Sequence, residues 1–277
     1  MRRFHRMPRL LGARPSHRAH FPYRQAGLLR PVPTPTTCPH RHLLTSSPRP
    51  TSEDKFRPIP SDQWEPASAP QKIKWLLETQ DDGEWGWVVY RTSYKPELDA
   101  AWETLRRLIL EQSREDVADS EAPDLIEKMD WVFVEDATLE GASREELRRR
   151  FQAFARPEMA RFSLKEEDVR TGGVGSRYLY FLQADETALL SLLRHPVPLG
   201  REGGHVNIVK GWELVVPAPF WAAEDDAYDE EYCADDVWNQ DWMKITVDLV
   251  RPEMYMELSM PENWYLYYTE PPGVCDH

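Results

Sequence analysis

The chain has 277 residues, with 34 Lys plus Arg against 47 Asp plus Glu and a formal net charge of −13. Its 41% hydrophobic and 29% charged residues fit a globular protein of one or two domains. No apolar run approaches the ~20 residues that cross a bilayer as a helix, and three cysteines cannot build a disulfide framework.

The charge is unevenly spread. Met1–Ser52 holds ten Arg, no Lys and no acidic residue, which leaves −23 on the rest of the chain. Residues 1–60 also carry 11 of the 24 prolines, and their apolar residues are scattered, so this segment reads as a disordered basic leader. An Arg-rich, acid-free leader matches a mitochondrial transit peptide, and no apolar core of a secretory signal follows the first arginines. The expected location is intracellular: mitochondrial if residues 1–52 are a transit peptide, cytoplasmic otherwise.

From Trp64 regular elements begin. Lys72–Glu78 is a short amphipathic helix, and Asp81-Asp82-Gly83 is a turn. Trp85–Tyr90 alternates as a strand. Pro96 suits a first helical turn, and Leu98, Ala101, Trp102, Leu105, Leu108 and Ile109 form the apolar stripe of a helix over Leu98–Leu110. Trp131–Val134 is a second strand. Ser143 and Glu146 make a capping-box pattern opening a helix with Leu147, Phe151 and Phe154 on one face. Thr171–Ser176 is a glycine-containing loop, and Tyr178–Leu182 is a third strand. Asp185 caps a helix over Glu186–Leu193, which ends before Pro196 and Pro198. Val206–Val216 is a fourth strand with a break at Gly211, Pro217–Trp238 is irregular and acidic, Met243–Val250 is a fifth strand, and Glu253–Leu258 is a short helix.

This order predicts an α+β fold. We expect a ferredoxin-like sandwich with a mixed or antiparallel sheet and helices on one face, plus an extra helix and a carboxy-terminal strand. A single domain would span residues 64–268, followed by a flexible tail over 269–277.

The stretch Trp85-Gly86-Trp87-Val88-Val89-Tyr90-Arg91-Thr92-Ser93-Tyr94, the later Tyr178-Leu179-Tyr180-Phe181-Leu182-Gln183-Ala184-Asp185-Glu186, and Trp242-Met243-Lys244 resemble blocks of a broad group of uncharacterised filamentous-fungal (ascomycete) proteins. The resemblance runs from Trp85 to Leu258 and implies structure only. No activity or cofactor comes with that group.

Candidate chemistry is sparse. His205 starts a strand and Asn207 shares its face, so a polar pair can point into a cleft and His205 can act as a general base. His195, at a helix end, is explained by the helix dipole. Cys275-Asp276-His277 has no second ligand cluster, so no metal site is expected, and Cys233 lies among carboxylates that disfavour a thiolate. The glycine-containing runs 172–175 and 200–204 lack the context of a phosphate loop, so no cofactor is expected. Within Glu224–Asp236, Tyr228 and Tyr232 are interleaved with eight carboxylates, and Trp238 follows. With Trp242 they form a candidate contact surface for a basic protein or an apolar small molecule. A body at −23 repels nucleic acid, no membrane partner is expected, and a homodimer is compatible with the pattern. The expectation is a non-catalytic interaction or small-ligand-binding protein. The alternative is a cofactor-free enzyme acting on an aromatic small molecule in a dimeric α+β barrel-like fold.

If the leader has no core of its own, brief proteolysis of the purified chain trims it to a resistant body that starts between Asp62 and Asp81. A leader that stays intact under the same digestion overturns that reading.

Overall fold

A computed structural model describes residues 61–79, 83–170, 175–194, 204–213 and 240–276. The expected leader and most of the acidic segment, including Tyr228, Tyr232 and Trp238, lie outside the described residues, as do His195, His277 and Cys233.

The order begins with α1 (Ser61–Trp64) and α2 (Ala69–Thr79), whose Pro70, Ile73 and Leu77 are buried. β1 (Val88–Arg91) follows a lone bridge between Trp85 and Met129. The predicted stripe becomes α3 (Asp99–Ala118), which buries Leu98, just before it, and Ala101, Trp102, Leu105, Leu108 and Ile109, then continues two turns further through Ser113 and Val117. After β2 (Val132–Val134), Ser143 caps α4 (Arg144–Arg161): its Oγ accepts the Glu146 N–H at 3.2 Å. A short α5 (Glu166–Arg170) leads on to β3 (Tyr180–Ala184). The Asp185 cap also forms, with Oδ1 accepting the Ala188 N–H at 2.8 Å at the start of α6 (Glu186–Arg194). β4 (His205–Lys210), β5 (Trp242–Thr246), α7 (Pro252–Glu257), α8 (Trp264–Tyr267) and β6 (Val274–Cys275) complete the order. Residues 269–276, expected as a tail, thus carry an edge strand with Cys275 fully buried.

The six strands form one mixed sheet in the order β2-β1-β3-β4-β5-β6, an α+β architecture as expected. The arrangement differs from a ferredoxin-like sandwich in its pairing. β1 lies directly between β2 and β3 and is parallel to both, β4 runs antiparallel to β3 and β5, and β6 is parallel to β5.

That pairing places helices on both faces of the sheet, not on one. β1 leads through α3 to a strand on one side, and β2 leads through α4 to a strand on β1's other side. Right-handed crossovers in opposite directions put their helices on opposite faces. The rings confirm it. Trp102 of α3 meets Phe133 edge-on at 5.9 Å, and Phe151 of α4 packs on Phe181 at 5.3 Å. Phe133 pairs with Val89 and Phe181 with Val88, and neighbouring strand residues point to opposite faces. α4 comes close to the sheet because a Cβ at Gly211 would collide with the Phe151 ring.

At the amino ends of the parallel strands, Trp85 and Trp87 pack on Tyr255 of α7, and Trp131 packs edge-on against both tryptophans. Gly86 has φ +116° between the first two, and a Cβ there would lie 2.7 Å from the Asp130 carbonyl oxygen, so only glycine fits without displacement. Arg177, just before β3, is buried. Its Nη1 donates to the Gly86 and Asp130 carbonyls at 3.0 and 2.6 Å, and Nη2 donates to the Asp130 carboxylate at 2.5 Å. Among the described residues no helix is long and apolar enough to cross a membrane.

Trp102 is fully buried in the α3 layer. Trp102→Ala is expected to cost about 3–5 kcal/mol in urea denaturation, through lost contacts and the cavity left behind. A loss under about 1 kcal/mol means that the helix does not seat on the sheet as described.

Candidate functional site

The ends of β1 and β3 define the place where a site is expected on topological grounds. The chain leaves β1 toward β2 on one side and enters β3 on the other, so their carboxyl ends form a switch point, where open sheets take ligands. β4 starts and β5 ends at the same edge. The polar residues of these strands collect there.

Register fixes their arrangement. Gln183 pairs with Asn207, Asn207 with Lys244, and His205 with Thr246, so all five share the α4 face of the sheet. Neighbouring rungs are separated by about 5 Å across strands and about 7 Å along them. Asn207 and Thr246 are fully buried, Gln183 is 5% exposed, and His205 is half-buried. Asp185 closes the row at the start of α6.

Some of the hydrogen-bonding capacity of this row is used. Asn207 Nδ2 donates to Asp185 Oδ2 at 2.8 Å, while the other Asp185 oxygen accepts from Thr187 Oγ1 and the Ala188 N–H. Gln183 Nε2 faces Thr92 Oγ1 and the Ala142 carbonyl, both at 3.4 Å. The His205 N–H donates to Ser191 Oγ at 2.9 Å. Among the described residues, four buried atoms of the row have no partner: Gln183 Oε1, Asn207 Oδ1, Thr246 Oγ1 and His205 Nε2. Burial holds the His205 imidazole down at about 4, with the Lys244 ammonium pushing the same way and the Asp185 carboxylate opposing. The ring is therefore neutral at pH 7.

The two sequence candidates His205 and Asn207 thus lie side by side, as the strand period implied. Trp242, the described member of the expected contact surface, pairs with Val209 on the same face. It is half-buried under the Arg144 guanidinium, 3.9 Å from its ring centre. Sequence reasoning missed Gln183, Lys244 and Thr246, and took Asp185 only as a cap. Gln183 did carry a signal, as the one polar side chain in the otherwise apolar run Tyr180–Ala184.

Tyr90 of β1 pairs with Gln183 and extends the row on the same face, its phenol held protonated by burial, with the Arg150 guanidinium opposing. Lys210 lies on the opposite face, paired with Tyr180, and burial lowers its ammonium to about 8. Its Nζ stands 4.9 and 4.8 Å from the Trp264 and Tyr265 ring centres, where it fastens α8 to the sheet. Among the described residues no group of three His, Cys, Asp or Glu is placed to hold a metal.

No protein-family model matches the chain, and no curated protein and no solved structure matches it either.

The buried His205 makes stability depend on pH. An unfolded chain protonates it near 6.5 and the folded chain only near 4, so between these values the unfolded state binds more protons and stability rises with pH. The slope contributed is at most about 1.4 kcal/mol per pH unit. Denaturant titrations of wild type and His205→Gln between pH 4 and 7 should show a shallower slope in the variant. Equal slopes mean that the imidazole is solvated.

Proposed function

We propose that the protein is a non-catalytic small-ligand-binding protein whose ligand engages the row Gln183, Asn207, His205 and Thr246. One observation carries this reading: four unpartnered polar atoms on adjoining rungs of one sheet face, at the carboxyl ends of the parallel strands. An unsatisfied buried polar group costs about 1–3 kcal/mol. Against the roughly 5–15 kcal/mol by which a typical domain is stable, four such groups side by side are a heavy load. A ligand that supplies the missing partners accounts for keeping them. The position at the switch point supports the same reading.

Catalysis by the row has less support. An imidazole whose conjugate acid lies near 4 is a weak base at neutral pH, below the range in which general bases work best. The row holds no cysteine or serine nucleophile. Its hydrogen-bonding groups favour holding a molecule over transforming one.

The test needs no knowledge of the ligand. Thr246→Val and Gln183→Met remove an unpartnered acceptor at nearly constant volume. If the row is kept for a ligand, the unliganded variants unfold in urea at the wild-type midpoint or above it, with gains of up to about 1–3 kcal/mol. If both variants lose more than about 1 kcal/mol, the row is an internal network that holds the fold, and the binding reading fails.

A further inference from the structure

We propose that the row takes a neutral molecule rich in O–H or N–H donors, of the polyol or carboxamide kind, and rejects anions and cations. This rests on the ligand-binding reading above and adds the chemistry of the ligand.

The polarity of the open atoms is set by the bonds their neighbours already make. Asn207 Nδ2 faces a carboxylate, which can only accept, so Oδ1 is fixed as the open end. Gln183 Nε2 faces the Ala142 carbonyl, which can only accept, so Oε1 is likewise the open end. Both open oxygens are acceptors with no capacity to donate. The neutral His205 ring can present Nε2 as a third acceptor, and the Thr246 hydroxyl serves in either sense. A ligand must therefore bring donors, two at least and spaced by about one rung, ~5 Å.

An anion meets the wrong polarity. Its oxygens would face carboxamide oxygens, and the helix amino termini beside the row are already capped, that of α6 by Asp185, whose Oδ1 holds the Ala188 N–H, and that of α4 by Ser143, whose Oγ holds the Glu146 N–H. Lys244 is the one cationic side chain of the row, on the rung beside Asn207. Lys244 and Asp185 act on the His205 ring with opposite signs, so their formal charges cancel and draw no ion of either sign. A cation meets the Lys244 ammonium and a carboxylate already engaged by Asn207, Thr187 and the α6 amide. Burying an unpaired charge in such a place is costly. Neutral donors meet none of these penalties.

The experiment uses the full chain with isotope-labelled Gln and Asn side chains and His rings. Glycerol, glucose and acetamide serve as neutral donors, and inorganic phosphate, acetate and methylammonium as charged probes. The expected result is a saturable shift of the Gln183, Asn207 and His205 side-chain resonances with a polyol or with acetamide. The apparent dissociation constant should be at least tenfold weaker in Gln183→Met. The polyol and carboxamide arms separate the two sources of the same donor chemistry. Saturable shifts of these resonances by phosphate, acetate or methylammonium, or none with any neutral donor, overturn the proposal. The stability series on Thr246→Val and Gln183→Met reads the ligand-binding premise separately, so a failure of the chemistry and a failure of the site give different patterns.

Discussion

The buried guanidinium of Arg177 ties the parallel half of the sheet together. It sits just before β3 and donates to carbonyls of the segments before β1 and β2 and to the Asp130 carboxylate. A charge in that position is tolerable only with its partners in place, so the three strands are held at one height by a single side chain. Gly86, at positive φ, offers its carbonyl to this group, and Arg177 is almost fully buried. With the amino ends fixed in this way, the register of β1 against β3 follows, and so does the position of everything at their carboxyl ends.

The two ends of the sheet therefore do different work. At one end two indoles bond the backbone, Trp87 Nε1 the Ser176 carbonyl and Trp85 Nε1 the Leu125 carbonyl, at 3.2 and 3.1 Å, while Trp131 Nε1 and Arg177 Nε stay unpartnered among the described residues. At the other end, Gln183, Asn207, His205 and Thr246 carry open atoms on one face. The antiparallel insertion of β4 between β3 and β5 is what makes this possible. It brings the first residues of one strand beside the last residues of two others, so side chains far apart in the chain reach neighbouring rungs.

The sequence showed the local elements well and their arrangement poorly. The α3 stripe, the Ser143 cap and the Asp185 cap were legible because each depends on residues within a few positions of one another. The sheet order was not, since direct pairing of β1 with both β2 and β3 depends on crossover direction. One hint was there: Val88-Val89-Tyr90 and Tyr180-Phe181-Leu182 are unbroken apolar runs, the mark of strands covered on both faces. Alternation was read into the first of them instead, from Trp85 and Trp87. Of the candidate site, His205 and Asn207 were legible because strand period places them together. Gln183, Lys244 and Thr246 come from other strands, and only register brings them in.

The pairing of β1 with β3 has a consequence for how the chain reaches its fold. Val88 meets Phe181 about ninety residues later, with α3, β2 and α4 between them. Contacts so distant in the chain form slowly, because the intervening loop must close before they give anything back. During synthesis, β1 can pair with β2 while its other edge stays bare, and that edge is apolar on both faces. Such an edge is a template for a second copy of the same segment. The interval between the emergence of Arg91 and that of Ala184 is the period in which the growing chain is most exposed to association with its own kind.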